Sequence, residues 1–535
     1  MLSLFLAPLI ALGGIIPLIG EPPGMPEVGS TQIAFGRWGP TSIKYNGTEF
    51  LSDGWTYIDY AKFKDTSGNV SDGSNTSTTT TVDTDSGVVS QTYPWGIVKT
   101  KYETAGSRVN MTVSIRNDSS KTLASFMFIM PRLQFPQKPA EYDGNTPLLA
   151  HNAGEPTAVP MSYGSGTMVF ANEDVTQPLI AGFPWALDRP TSTIFPLMVN
   201  TGRDGRYPPS LPFVDRPIVS GATLQFTLSL RFGPAGSTLA TLANDVFQNF
   251  ATAFPFKLQW SDRRPIGSLF LATSATGWPK NPRGWFGDSS IDVTTSSGVA
   301  ALQSRLLAYA DSSIAILKSM NAQGAITWDV EGEQYPHATT YIGDPRIAEK
   351  LAPELEGVLD RYFQKFRDAG LRVGVTLRPQ QFAVTSGGAS QNEVTDPAQQ
   401  LIDKITYAKN RWGCTLFYID SNGDPNDPID AAFIERVAAA FPDVLLIPES
   451  QNTRYYSTTA PYDELRMGVT GTPASVQRIY PGAVTVLNIA DGDLDGKHDA
   501  VLSAVRRGDI LLFRAWFNDS ANAKVKAIYD AAAQN

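Results

Sequence analysis

Two short apolar runs, each ending on a carboxylate, constrain this chain more than any other feature. Cys414-Thr415-Leu416-Phe417-Tyr418-Ile419-Asp420 and Val444-Leu445-Leu446-Ile447-Pro448-Glu449 have the length and unbroken apolarity of strands covered on both faces. Residues 431–440 between them have helix length, so the three segments form a β-α-β unit whose two carboxylates leave on one rim. A parallel barrel keeps its chemistry at that rim.

The same texture runs through residues 259–535. Strands are expected at 266–272, 325–331, 371–378, 414–420, 444–449, 483–489 and 510–516, with a thin sixth one near 465–469. Helices are expected near 300–320, where Leu302, Leu306, Ala310, Ile314 and Leu317 recur at helical spacing, and near 355–369, 397–410 and 521–533. Eight strands with intervening helices predict a (β/α)8 barrel.

Residues 25–258 read differently. Val109-Asn110-Met111-Thr112-Val113-Ser114-Ile115-Arg116 and Leu224-Gln225-Phe226-Thr227-Leu228-Ser229-Leu230-Arg231-Phe232 alternate apolar and polar residues, which predicts antiparallel sheet with one buried face. Turn signals such as Asn46-Gly47 and Asp143-Gly144 recur between such runs, so a β-sandwich is the expected packing. The Ser-, Thr- and Asp-rich residues 72–87 are expected to form an exposed loop.

Composition removes several function classes. A formal net charge of -9 with no basic run argues against nucleic acid as a partner. With one cysteine, Cys414, and three histidines, the chain offers neither a disulfide within itself nor a thiolate cluster nor a many-histidine metal centre. Residues 1–24 form a signal-like or anchor segment: 1–20 are uncharged and almost wholly apolar, but lack the basic start of a secretory signal. Export or attachment to the cell envelope is the expectation. No second apolar stretch of that length occurs, which excludes a polytopic membrane protein.

A barrel gathers the ends of its strands around one mouth, so the strand ends are the candidate site residues. They are Asp329 and Glu331, Arg378, Asp420, Glu449, Asp491, and Arg514 with Trp516. Tyr418 precedes the fourth-strand carboxylate, and Trp278, Trp285, Tyr335, Phe382, Tyr455 and Tyr456 fall in the connecting loops. Carboxylates, cations and flat rings together suit a sugar, whose hydroxyls need polar partners and whose C–H faces stack on aromatics. Glycosidic cleavage needs one acid to protonate the leaving oxygen and one carboxylate below the anomeric carbon. Asp420 fits the nucleophile and Glu449 the acid/base; Asp329, Glu331, Arg378, Tyr418, Asp491, Arg514, Trp516, Trp278, Trp285 and Tyr335 fit substrate binding. Period two puts Asp329 and Glu331 on one face and turns Trp328 outward. Each strand-end carboxylate has a plainer role as well, capping a helix or pairing with an arginine.

With a sandwich ahead of a barrel, an Asp closing Phe417-Tyr418-Ile419-Asp420 and a Glu closing Ile447-Pro448-Glu449, the chain resembles retaining glycoside hydrolases. The layout is similar to the α-amylase clan and to the endo-α-N-acetylgalactosaminidases, which carry the nucleophile after the fourth strand and the acid/base after the fifth. That resemblance implies an α-linked oligo- or polysaccharide as substrate. Tyr418 stands two residues before Asp420 where the amylase pattern has Arg, which weakens any transfer of amylase specificity. The α-galactosidases are similar too, with their acid after the sixth strand, so the sixth strand and Glu331 remain alternative sources of the acid.

Other chemistries stay open. Asp329, Glu331, Glu333 and His337 are dense enough for a metal-assisted hydrolase or lyase. Asp491-Gly492-Asp493-Leu494-Asp495-Gly496 copies the first half of a calcium loop, with Asp491, Asp493 and Asp495 as ligands; position twelve is Leu502 rather than Glu, so the alternative is a simple turn. No other cofactor is expected. A barrel that binds carbohydrate without turnover is the reading outside enzymology. The sequence does not reveal oligomeric state.

Overall fold

The computed structural model describes residues 29–534 apart from 53–58, 75, 146–147, 152–155, 177–178, 203–215, 273–277, 333–341, 386–387, 423–430, 451, 491 and 516–519. The expected signal-like or anchor segment 1–24 lies outside the described residues.

The N-terminal half is antiparallel throughout. A three-stranded meander, Thr31–Gly36, Gly39–Tyr45 and Thr48–Glu49, precedes a six-stranded and a seven-stranded sheet. The two alternating runs pair with each other inside the larger sheet, Phe226 opposite Val113, Leu228 opposite Met111 and Leu230 opposite Val109. Their inward side chains meet Leu123, Phe126, Phe195 and Leu197 of the other sheet in one core, so the two sheets form a sandwich. On the outer face Thr112 and Thr227 stand 3.2 Å apart, hydroxyl to hydroxyl. Within the expected loop 72–87 the structure has a strand, Thr79–Asp83, held at the sheet edge by pairing to Val88–Tyr93. An edge strand needs backbone partners and β-branched residues more than an apolar face, and the threonine run supplies that.

Helix Asn244–Ala253 joins the halves. Val246, Phe247 and Phe250 pack between Val169 and Ala171 of the sandwich and Val476, Ile479 and Tyr480 of the barrel. Arg231, almost fully buried, fixes the helix from the sandwich side through Glu173 and Asp245.

The barrel strands are Ile266–Leu269, Gly324–Thr327, Arg372–Leu377, Leu416–Ile419, Leu445–Pro448, Tyr462–Glu464, Val486–Ile489 and Ile510–Arg514. All pair in parallel, in the order 5-4-3-2-1-8-7-6. The barrel is nearly closed; across the seam the Ala460 N–H donates to the Leu446 carbonyl at 3.1 Å. The sixth strand is three residues long and ends where 465–469 was expected to begin, because Leu465–Met467 forms a 3-10 turn instead. A hairpin, Gln381–Thr385 with Gly388–Asn392, follows the third strand and was not expected.

Helices cover the outside. Pro397–Trp412 starts at Asp396, whose carboxylate accepts from the Gln399 N–H at 2.9 Å, and stops at Gly413, whose φ of 70° an L-residue adopts with strain. It buries Leu401, Lys404, Ile405, Ala408 and Trp412. Among the described residues no helix is long and apolar enough to cross a membrane.

Candidate active site

Strand parity delivers the two carboxylates to the inside of the mouth. In the fourth strand Leu416 and Tyr418 belong to the barrel interior, with Ile326, Leu445, Ile447, Val486 and Leu512, while Phe417 and Ile419 face the helices. Asp420 continues the inward series, and Glu449 continues Leu445 and Ile447 in the same way. Both stay on the ladder: the Asp420 N–H donates to the Leu377 carbonyl at 2.8 Å and the Glu449 N–H to that of Ile419 at 2.9 Å.

Around them is a dense set of hydrogen bonds. Arg378 Nε donates to Asp420 Oδ2, and its Nη1 to Gln391 Oε1 of the hairpin at 2.8 Å. Ser421 sits between the acids, its Oγ donating to Asp420 Oδ2 and its N–H to Glu449 Oε2, each at 2.9 Å. It does so at a φ of 53°, a left-handed conformation that costs a non-glycine residue energy and is held here by those two bonds. Beyond it the Asn422 carboxamide accepts from the Ser450 N–H at 2.8 Å, tying the fourth and fifth loops together.

Asp420 is buried, whereas Glu449 is exposed to solvent. The protein crowded around Glu449 pushes its carboxyl above the usual range. The charge of Asp420 and a hydrogen bond shared with it add to the rise, and donation from the Ser421 N–H and Tyr418 opposes it. The two carboxyl groups are thus near enough for the charge of one to bias the protonation of the other.

Rings line the floor. Trp328 stacks on Phe270 with centroids 5.6 Å apart and packs against Tyr418 at 4.9 Å; Tyr462 meets Tyr418 edge-on at 5.1 Å. Arg514 follows the inward Ile510 and Leu512 and is half-buried at the eighth strand end. Glu464 closes the sixth strand. Burial works against its charge, but Arg466, Tyr462 and Asn488 outweigh it and hold this carboxyl below the usual range.

Several sequence expectations are corrected. Trp328 points into the barrel, not outward, and Asp329 takes the opposite face. Asp329 is fully buried and accepts from the Leu271 and Ala272 N–H groups at 2.6 and 2.7 Å, so it anchors the first loop rather than meeting a sugar. Glu331 is equally buried, accepts from the Asp344 N–H at 2.8 Å, and has its carboxyl pushed up to about 7, chiefly by burial. Trp285 is core: its indole N–H donates to Glu354 at 2.7 Å and neither face is open to a ligand. Trp278 is half-buried in the loop after the first strand. Tyr335, Glu333, His337, Asp491 and Trp516 lie outside the described residues. In the calcium-like loop, Asp493 accepts from the Ala490 N–H at 2.8 Å and Asp495 pairs with Lys524 at 2.8 Å. Sequence reasoning missed Ser421 and Asn422, short polar loop residues with no periodic signal, Gln391, whose hairpin was not expected, and Glu464, whose strand was expected near 465–469.

The class so defined is a (β/α)8 barrel behind an antiparallel sandwich, the layout of solved glycoside hydrolases. One of these is the α-N-acetylgalactosaminidase NagBb from Bifidobacterium bifidum. Its complex with GalNAc superimposes with a TM-score of 0.53 and 11% identity over 94% of this chain and 91% of that one. Its complex with Gal-NHAc-DNJ gives 0.51 and 10% over 94% and 92%. At such identities the likeness is one of fold. No family model matches the sequence, and no curated protein sequence does.

Proposed function

We propose that the protein is a retaining glycoside hydrolase acting on an α-linked oligo- or polysaccharide. The observation that carries this reading is the meeting of Asp420 and Glu449 on adjacent strand ends, one held by Arg378 and Ser421, the other with its carboxyl raised. A raised carboxyl keeps its proton to a higher pH and suits a general acid. Glu449 gives that proton to the glycosidic oxygen while an Asp420 oxygen attacks the anomeric carbon. The aglycone leaves as an alcohol and the sugar stays as an ester on Asp420. Glu449 then takes a proton from water, which displaces Asp420 and releases the sugar.

The nearness of the two carboxyls, on adjacent strand ends and electrostatically linked, supports retention. An inverting site must hold a water beside the base and separates its acids by ~6.5–9.5 Å, whereas a retaining pair sits at ~5–5.5 Å. The α-linkage rests on the resemblance and on the name of NagBb, an α-N-acetylgalactosaminidase.

Digestion of a panel of α- and β-linked glycans, with product anomers followed by NMR, tests the proposal. We expect release of an α-configured sugar first, and loss of hydrolysis in both Asp420→Asn and Glu449→Gln with thermal unfolding nearly unchanged. Near-normal turnover by either variant, or a β-configured first product from an α-linked substrate, would reject the assignment.

A further inference from the structure

Beneath the nucleophile lies a buried ammonium that the reaction above does not use. Lys404 is wholly buried, and its Nζ donates to three main-chain carbonyls: Gly343 at 3.0 Å, Arg378 at 2.7 Å and Gln380 at 2.8 Å. Asp344 Oδ2 lies 3.7 Å away and is itself paired with Arg346. An ammonium is the one side-chain group that offers three donors from a single point, so this convergence of carbonyls from two loops is matched to lysine.

The carbonyls belong to the loops after the second and third strands, and those loops lie backbone to backbone. The Arg378 N–H donates to Gly343 at 3.0 Å, and a Cβ on Gly343 would come within 2.6 Å of the Arg378 nitrogen. From this clamped segment two side chains reach the site. Arg378 donates to Asp420, and Gln380 Nε2 donates to the Ser421 carbonyl at 3.1 Å.

We propose that Lys404 is a positioning residue for the reaction, fixing the main chain at Arg378 and Gln380 so that these side chains hold Asp420 and Ser421 in attacking geometry. This rests on the glycosidase reading. Burial lowers the ammonium to about 8, opposed by Asp344 and Glu331, so it remains charged at neutral pH.

The test is a double-mutant cycle of Lys404→Met with Arg378→Met, read as kcat and KM on the p-nitrophenyl α-glycoside that the wild type hydrolyses fastest, with near-UV circular dichroism reporting the folded fraction. Lys404→Met is expected to lower kcat about 10- to 100-fold per folded molecule, as loss of attack geometry does, with KM changed less than about threefold. The double variant is expected to lose less than the product of the two single losses, because Lys404 acts partly through Arg378 and partly through Gln380. Lys404→Arg keeps the charge without three donors at one point, so it is expected to lose kcat partially, and it carries the cycle if the Met variant does not fold. Wild-type kcat in folded Lys404 variants, or losses that multiply in the double variant, would overturn the proposal. A wild type inactive on every glycoside would instead remove the glycosidase reading.

Discussion

The raised carboxyl of Glu449 is the quantity most open to measurement, and Tyr418 is the cleanest handle on it. Tyr418 is buried between Trp328 and Tyr462, and its hydroxyl donates to Glu449, stabilising the charged form. Tyr418→Phe keeps the ring and its packing and removes that one donor. The folded carboxylate loses a stabilising partner, so its proton is held more tightly and the basic limb of the rate profile moves to higher pH. A hydrogen bond of this kind contributes about 0.5–1.5 kcal/mol. Glu449 is also exposed to solvent, and Tyr418 ranks below burial, Asp420 and the Ser421 N–H among the causes, so the lower half applies. At about 1.4 kcal/mol per unit the expected displacement is about 0.4–0.7 pH units. The assay is kcat/KM between pH 4 and 9 (on the order of the range where carboxyls and their raised forms titrate) on a glycoside with a poor leaving group, where protonation limits the rate. A basic limb that stays in place or moves to lower pH would refute the reasoning.

Three further outcomes follow from buried groups. Glu331 holds its proton up to about 7, so its favourable contribution is complete below the unfolded value near 4.5 and is lost as pH rises through 7. In urea unfolding, Glu331→Gln should gain stability relative to wild type between pH 5 and 8, by no more than about 3 kcal/mol; a pH-independent difference would contradict this. Arg231→Met leaves Glu173 and Asp245 without their shared cation at the joint between the halves. Because both carboxylates reach solvent, a loss of about 3 kcal/mol, at the low end for a broken buried pair, is expected in the same experiment. Trp285→Phe removes the indole donor to Glu354 and should cost about 1–3 kcal/mol with kcat and KM unchanged; a raised KM would place the ring against substrate after all.

What was legible in the sequence depended on how much each element is specified by its own pattern. Alternation in 109–116 and 224–232 located two strands that pair with each other, since one wet face leaves a period of two. The fourth and fifth barrel strands were equally visible, and with them Asp420 and Glu449. The orientation of Trp328 was not, because a strand buried on both faces shows no contrast between Ile326 on the inside and Ala325 on the outside. The sixth strand, Tyr462-Asp463-Glu464, carries no apolar run, and its place is set by pairing to Val486–Asn488. Lys404 did leave a signal. It falls at helical spacing with Leu401, Ala408 and Trp412, on the face that must be buried, where a lysine needs a purpose.

The sixth strand also bears on which residue is the acid. A sixth-strand carboxylate exists, Glu464, and by parity with Tyr462 it faces the same mouth. Its partners favour the charged form: the Arg466 guanidinium, the Tyr462 hydroxyl at 2.7 Å and the Asn488 side chain all act on it. A carboxyl so held gives up its proton early and is a poor donor at neutral pH. Glu449 is held in the opposite sense: burial and the neighbouring Asp420 carboxylate raise its carboxyl. Two carboxyls with environments that push them apart divide the labour of acid and carboxylate between them. On the proposed mechanism these opposed environments favour Glu449 over Glu464 as the acid.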